Sequence, residues 1–267
     1  MSAPSFHASH SAVTSRLRSA GCVFAEDEAK LLIAAAQAPE ELERMLDQRV
    51  AGLPLEHVLG WAEFSGRHIA VDAGVFVPRH RTEHLVQEAA RCAWPGAVVV
   101  DLCCGSGAVG TALAAAVRGI ELHAADVDPV AVRCARRNVG PVGGQVHEGD
   151  LFSALPDTLR GRVDVLVANA PYVPTDSIGM MPPEARLHEP LVALDGGADG
   201  LDVQRRIAEE APLWLACGGQ LLIETSVRQA MTTAALFELA GLSAHVVHSE
   251  EFDATVVLGK LQEIHRK

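Results

Sequence analysis

The stretch Asp101-Leu-Cys-Cys-Gly105-Ser-Gly107-Ala-Val-Gly110 decides how this chain is read. The apolar run AVVVDL (97–102) leads into it, and a helix-like run over 107–117 leaves it. The order is strand, glycine-rich turn, helix start. Glycines let a backbone approach a ligand closely, and the first helical turn offers N–H groups with no partner inside the helix. The spacing G-x-G-x-x-G is shared by nicotinamide and flavin enzymes, so alone it leaves the ligand open.

Outward from this turn, strand-like and helix-like runs alternate. Residues 120–126, 163–169, 220–225, 244–249 and 254–259 read as strands, with a weaker one at 144–150. Between them 129–138, 201–216 and 227–240 read as helices. Such alternation predicts a parallel sheet with helices on both faces. The short link between the last two strands predicts a closing antiparallel hairpin. A doubly wound seven-stranded sheet that ends with an antiparallel strand is the α/β class I S-adenosylmethionine-dependent methyltransferase fold. Upstream, apolar residues at helical spacing from Ser9 to about Val50 predict a small helical unit. Phe64, Ile69, Val71, Val75 and Val77, punctuated by Gly60, Gly66 and Gly74, predict a β-hairpin. The expected division is 1–54 helical, 55–84 hairpin and connector, and 85–267 methyltransferase domain.

Two acids sharpen the reading of the glycine turn. Asp101 stands before the glycines, where a carboxylate repels a pyrophosphate and can hold a cationic amino group. Asp126 closes the next strand, at the place of the acid that grips ribose hydroxyls in this architecture. Carboxylates at both places suit S-adenosylmethionine, with its ammonium, sulfonium and free ribose, better than NAD. Asp150 can accept from an adenine amino group while Leu151 packs on the ring. Capping of turns or helices is the bland alternative for these acids.

The second informative stretch is Asn169-Ala-Pro-Tyr172, directly after VDVLVA. Carboxyl ends of parallel strands are where such folds bind ligands. The stretch resembles the Asn-Pro-Pro-Tyr motif of methyltransferases that modify planar nitrogens. Such a nitrogen has a delocalised lone pair and is a poor nucleophile. Two acceptors, the Asn169 side-chain oxygen and the Ala170 carbonyl, can take its two hydrogens and favour a more tetrahedral nitrogen. Tyr172 covers the substrate plane, and Pro171 biases Ala170 towards an extended backbone. Catalysis is then positioning and electrostatics without a strong base. A plain strand followed by a proline turn is the bland alternative.

Composition sets bounds. The chain has 267 residues, is 49% hydrophobic and 21% charged, and carries a net charge of −12. These values describe a globular protein and a poor start for gripping duplex DNA, where phosphate neutralisation supplies much of the affinity. Six cysteines without CxxC spacing fit reduced thiols. The N-terminal run MSAPSFHASHSAVTSRLRSAGC lacks the apolar centre of a signal peptide, and no run reads as a membrane span. A cytoplasmic location without membrane contact is expected.

Taken together, the chain resembles the protein-(glutamine-N5) methyltransferases, whose known members modify the Gly-Gly-Gln loop of peptide chain release factors. The likeness runs from about residue 55 to 260. It includes EHVLGWAEFSGRHIAVDAGVFVPRHRTEHLV, with Pro78, Arg79, Thr82 and Glu83 in a Pro-Arg-x-x-Thr-Glu stretch. It also includes DLCCGSGAVG, RLHEPLVALDGGADGLD and DATVVLGKL. The resemblance implies a cofactor site of Cys103, Cys104, Gly105, Ser106, Gly107, Asp126, Leu151 and Asn169, to which the charge reading adds Asp101 and Asp150. It places the substrate glutamine against Asn169, Ala170, Pro171 and Tyr172, with Arg79 nearby, and makes the N-terminal unit a docking element for the protein substrate. Departures are Cys103 for the first loop glycine, Ala170 for a proline, and a short helical unit.

Other readings compete. His80-Arg-Thr-Glu83-His84 fits the H-x-x-E-H pattern of one zinc peptidase group, but Thr82 and Glu83 already belong to the resemblance, so no metal is expected. An adenine-N6 nucleic-acid methyltransferase or a small-molecule N-methyltransferase shares the Asn-x-Pro-Tyr logic. A binding module that kept the fold and lost turnover is a third. Trp61, Trp94 and Trp214 read as packing residues.

Overall fold

The structure is a computed structural model that describes residues 9–262. The first eight residues of the N-terminal run and the last five of the chain lie outside the described residues.

The helical unit consists of α1 (His10–Ser19), α2 (Ala25–Ala35) and α3 (Pro39–Val50). Leu17, Leu32, Leu42 and Leu46 meet in its own core. The next segment corrects the sequence reading. Leu55–Leu59 forms a short helix, α4, not part of the hairpin, and Leu55, Val58 and Leu59 pack on the helical core. The hairpin follows as β1 (Trp61–Phe64) and β2 (Arg67–Ala70), paired antiparallel. Its two turn residues, Ser65 and Gly66, both have positive φ, which matches the right-handed twist of the strands.

The main domain runs α5 (Glu83–Cys92), β3 (Val98–Leu102), α6 (Ala108–Ala116), β4 (Glu121–Asp126), α7 (Pro129–Val139) and β5 (Gln145–Glu148). It continues with β6 (Val163–Ala168), α8 (Pro183–His188), α9 (Asp202–Trp214), β7 (Leu215–Thr225), α10 (Ala230–Leu239), β8 (Leu242–Ser249) and β9 (Ala254–Leu261). The seven strands lie in the order β5-β4-β3-β6-β7-β9-β8. β9 runs antiparallel to both its neighbours, and the pairs from β5 to β7 are parallel. This is the predicted class I methyltransferase sheet with its last strand antiparallel.

All five residues of β3 are buried, as expected of a central strand covered on both faces. Val98, Val100 and Leu102 join a core with Phe152, Leu166 and Trp214; Val99 joins the opposite core with Leu85 and Leu113. α7 starts where the sequence dictates: Pro129 is in its first turn, and the Asp128 side chain accepts from the Val130 N–H at 2.8 Å. Two readings shift. β7 begins at Leu215, earlier than expected, and Trp94 is 52% exposed rather than packed.

Strand order reverses at β3, which lies between β4 and β6. At such a switch point the loops leaving neighbouring strands diverge and open a crevice at their carboxyl ends. The glycine turn, Asp126 and Asn169 follow or close these three strands. Among the described residues no helix is long and apolar enough to cross a membrane.

Candidate active site

The glycine turn is held by the acids around it. Asp101 is 1% exposed, and its Oδ2 accepts from the Gly110 N–H at 2.9 Å in the first turn of α6. Burial pushes its carboxyl up to about 7, with the Asp126 charge adding to the rise and the Gly110 N–H opposing it. Asp126 accepts from the Gly105 N–H at 2.8 Å and the Asp128 N–H at 2.9 Å. Burial raises its pKa as well. Each ionised carboxylate has about four acceptor positions, so both keep capacity for a ligand.

Gly107 has φ +76, and a Cβ there would stand 2.6 Å from Val139 Cγ2 on α7. It is a packing glycine. Cys103 has φ +54, a left-handed backbone that glycine adopts freely and an L side chain does not. This is where the resemblance expects glycine. Burial raises the Cys103 and Cys104 thiols, so both stay protonated.

A cavity of about 170 Å³ opens above these residues. Every residue expected at the cofactor site except Gly107 lines it. Asp150 lies at its edge, where its Oδ2 accepts from Arg206 at 2.5 Å. The cavity also takes in Phe76, Pro78, Thr82, Pro190 and Val192, from the hairpin connector and the 174–200 loop. The resemblance marks the stretches that hold Pro78, Thr82, Pro190 and Val192 without assigning these residues to the cofactor site, and Phe76 is not assigned either.

A smaller cavity of about 50 Å³ adjoins it and shares Phe76, Asn169, Pro171 and Ala193. Arg79, Ala170 and Tyr172 also line it. Asn169 therefore stands between the two cavities. Its Nδ2 donates to Thr82 Oγ1 at 3.4 Å, and its Oδ1 has no protein partner among the described residues. Burial pushes the Tyr172 phenol up to about 12, so it stays protonated and is no base at neutral pH. The Arg79 guanidinium donates to both Glu189 oxygens at 2.6 Å and stacks 4.9 Å from the centre of the Phe76 ring. It ties the connector to the 174–200 loop while forming part of the wall.

The 174–200 loop rests on the backbone of the Asn-Ala-Pro-Tyr segment. A Cβ at Gly200, φ +78, would lie 2.3 Å from the Tyr172 carbonyl oxygen. Gln229 donates to that oxygen and to the Asp199 carbonyl, each at 3.0 Å. Sequence reasoning also missed Glu224, 2% exposed near the end of β7, whose carboxylate faces Thr82, Tyr172 and Arg81.

The His80–His84 segment is otherwise engaged. Glu83 accepts from the Ser65 N–H at 2.9 Å, and His84 is buried beside Phe252. Among the described residues no three His, Cys, Asp or Glu side chains are grouped to hold a metal ion.

Comparison with known proteins gives concordant results. Residues 69–180 match the methyltransferase small domain family. A release factor glutamine methyltransferase of Geobacter sulfurreducens is 39% identical over 208 residues, 76% of this chain and 72% of that protein. One from Cereibacter sphaeroides is 36% identical over 78% of this chain and 74% of its own. A 4-amino-L-phenylalanine/4-methylamino-L-phenylalanine methyltransferase of Streptomyces pristinaespiralis is 33% identical over 79% of this chain and 74% of its own. Among solved structures, a methyltransferase from Pyrococcus furiosus superposes with a TM-score of 0.52 at 15% identity, covering 68% of this chain and 82% of that one. That likeness concerns the fold alone. With relatives this similar over three quarters of its length, the chain belongs to the release factor glutamine methyltransferase family.

Proposed function

We propose that the chain methylates the side-chain amide nitrogen of a glutamine in the Gly-Gly-Gln loop of a peptide chain release factor, with S-adenosylmethionine as donor. The observation that carries this reading is Asn169 between two adjoining cavities, its Nδ2 turned to Thr82 and its Oδ1 left without a protein donor. The larger cavity fits the donor molecule. It has two carboxylates with spare acceptor capacity, suited to an ammonium and to ribose hydroxyls, and they would repel a pyrophosphate.

Bound S-adenosylmethionine supplies a methyl group on a positively charged sulfur. This chain's residues do the rest. Asn169 Oδ1 and the Ala170 carbonyl accept the two amide hydrogens and turn the nitrogen lone pair towards the larger cavity. Tyr172, protonated and mostly buried, closes the far side and limits water. The nitrogen sheds a proton after transfer, so no strong base is needed.

Labelled S-adenosylmethionine with purified release factor, beside a release factor whose loop glutamine is alanine, tests the reading. Label on the first alone, mapped to that glutamine, is expected. Equal labelling of both, or of neither, overturns it. Asn169→Ala should lower turnover at least about a hundredfold with S-adenosylhomocysteine affinity kept. A second reading has one observation in its favour, the 33% identity to the enzyme named for 4-amino-L-phenylalanine. Its aryl amine nitrogen is planar like an amide's. The same assay with 4-amino-L-phenylalanine in place of release factor separates the two.

A further inference from the structure

Two buried polar side chains stand behind Asn169, on elements far apart in sequence. Thr82, 2% exposed at the start of α5, has its Oγ1 3.4 Å from Asn169 Nδ2. Glu224, equally buried, has its carboxylate turned to the Thr82 and Tyr172 hydroxyls and to Arg81, whose Nε lies 3.4 Å from Oε1. Neither Glu224 oxygen has a fully formed hydrogen bond among the described residues. Burying a carboxylate costs several kcal/mol on the order of magnitude unless its partners compensate, so a site that keeps one calls for a role.

Its chemistry dictates a direction. Burial raises the Glu224 pKa, while the Thr82 and Tyr172 hydroxyls and the Arg81 guanidinium oppose that rise and favour the charged form; a carboxylate in that form only accepts. Beside such an acceptor the Thr82 hydroxyl proton is drawn towards Glu224, which leaves the oxygen lone pairs to the Asn169 Nδ2 that lies 3.4 Å away. Those lone pairs can receive only the NH2 end of the Asn169 amide. The carbonyl end, Oδ1, is then the end presented to the cavities. A side-chain amide is nearly the same shape at both ends, so without such a neighbour it could present either.

We propose that Glu224 and Thr82 are positioning residues that set which end of the Asn169 amide faces the substrate. The proposal rests on the reading that Asn169 Oδ1 accepts from the substrate nitrogen. Arg81 holds the charge on Glu224 from the solvent side, and the Tyr172 hydroxyl faces the same carboxylate, so both walls of the smaller cavity are referred to one buried anion.

The chain has two asparagines, Asn138 and Asn169, so 15N-asparagine labelling gives two side-chain NH2 signals. Asn169→Asp removes one and assigns both. Asn138 is an internal standard, since its NH2 group is bonded to the Ala70 and Ser106 carbonyls. The measurement is solvent exchange of these NH2 groups in the full ligand-free chain, followed by kcat and KM for release factor. Thr82→Val should speed Asn169 exchange about tenfold and lower kcat by a similar factor, with KM changed less than about threefold. Thr82→Ser, which restores the hydroxyl, should bring exchange back to within about twofold of wild type. Glu224→Gln, whose amide can donate or accept, should move exchange and kcat in the same direction as Thr82→Val.

A purely structural role would lower the unfolding midpoint, disturb Asn138 as well, and not be rescued by serine. Asn169 exchange unchanged in Thr82→Val overturns the proposal, whether or not Glu224→Gln folds. The exchange readout needs no substrate. Failure to label release factor therefore counts against the proposed function, and unchanged exchange counts against the relay.

Discussion

Asp101 is a carboxyl group whose proton should leave when a cation arrives. Burial pushes it up to about 7 in the ligand-free chain, against 3.8 when exposed. The folded chain thus binds more protons than the unfolded one between those values. The stability that the neutral form confers is complete below about pH 4 and is lost as pH rises through about 7. Asp101→Asn keeps an acceptor for the Gly110 N–H and cannot ionise. Its stability should pull ahead of wild type from about pH 4 upwards and level off above about pH 7, by up to about 4 kcal/mol. Urea unfolding of both proteins across that range checks this, and a gap independent of pH refutes it. An ammonium beside Asp101 favours the ionised form. S-adenosylhomocysteine, which carries one, should bind about tenfold more tightly at pH 7.5 than at pH 5.5, and the gain should vanish in Asp101→Asn by calorimetry. Cys103 makes a steric counterpart. Its positive φ tolerates glycine, so Cys103→Gly should stay within about 1 kcal/mol of wild type. Cys103→Val, branched at Cβ, should cost about 1–3 kcal/mol by denaturant midpoint.

At the scale of elements, the active-site wall depends on how the 174–200 loop is fastened. Gly200 lets it lie against the Tyr172 carbonyl, and Arg79 grips Glu189, whose side chain is fully buried. Removing only the cation strands a buried carboxylate, so Arg79→Leu should destabilise the chain by about 2–4 kcal/mol. Glu189→Leu on that background should restore part of the loss, giving a coupling of at least about 1 kcal/mol in a double-mutant cycle. Additive effects would show that the pair does not act as a clamp. These fastenings explain the limits of reading the sequence. The strands were legible because β3 and β6 are apolar runs interrupted only by Asp101 and Asp164 and covered on both faces, and α7 because Asp128-Pro129 marks its start. α4 was not, since five residues are too short to display a helical period. The early start of β7 was hidden by Gly218 and Gly219, which punctuate like a turn. Asp101, Asp126 and Asn169 announced themselves at strand ends beside motifs. Thr82 was marked by the Pro-Arg-x-x-Thr-Glu stretch but without a role, and Glu224 was not marked at all, because only the sheet order brings the end of β7 behind the end of β6.

At the scale of the molecule, the helical unit has a core of its own, on which α4 packs, and Arg49 ties it to the methyltransferase domain. This guanidinium, 7% exposed on α3, donates to Glu28 on α2, to the Leu53 carbonyl at 3.0 Å and to Glu184 on α8 at 2.6 Å. α8 lies in the same 174–200 loop that walls the active site. One buried cation therefore links the helical unit to the wall of the catalytic pocket. Arg49→Met keeps the apolar stem and removes the charge, leaving Glu28 buried without its partner. If the unit docks the release factor, loosening it should raise KM for that protein about three- to tenfold. S-adenosylhomocysteine affinity should stay at the wild-type value, because neither Asp101 nor Asp126 touches the triad. Hydrogen exchange should show α1–α3 losing protection at lower urea than the sheet, so that one unfolding transition becomes two. Steady-state kinetics with release factor, set beside calorimetry on the same variant, decide the matter. A fall in kcat with weaker cofactor binding would mean that Arg49 supports the catalytic domain itself and that the helical unit is not a separable docking element.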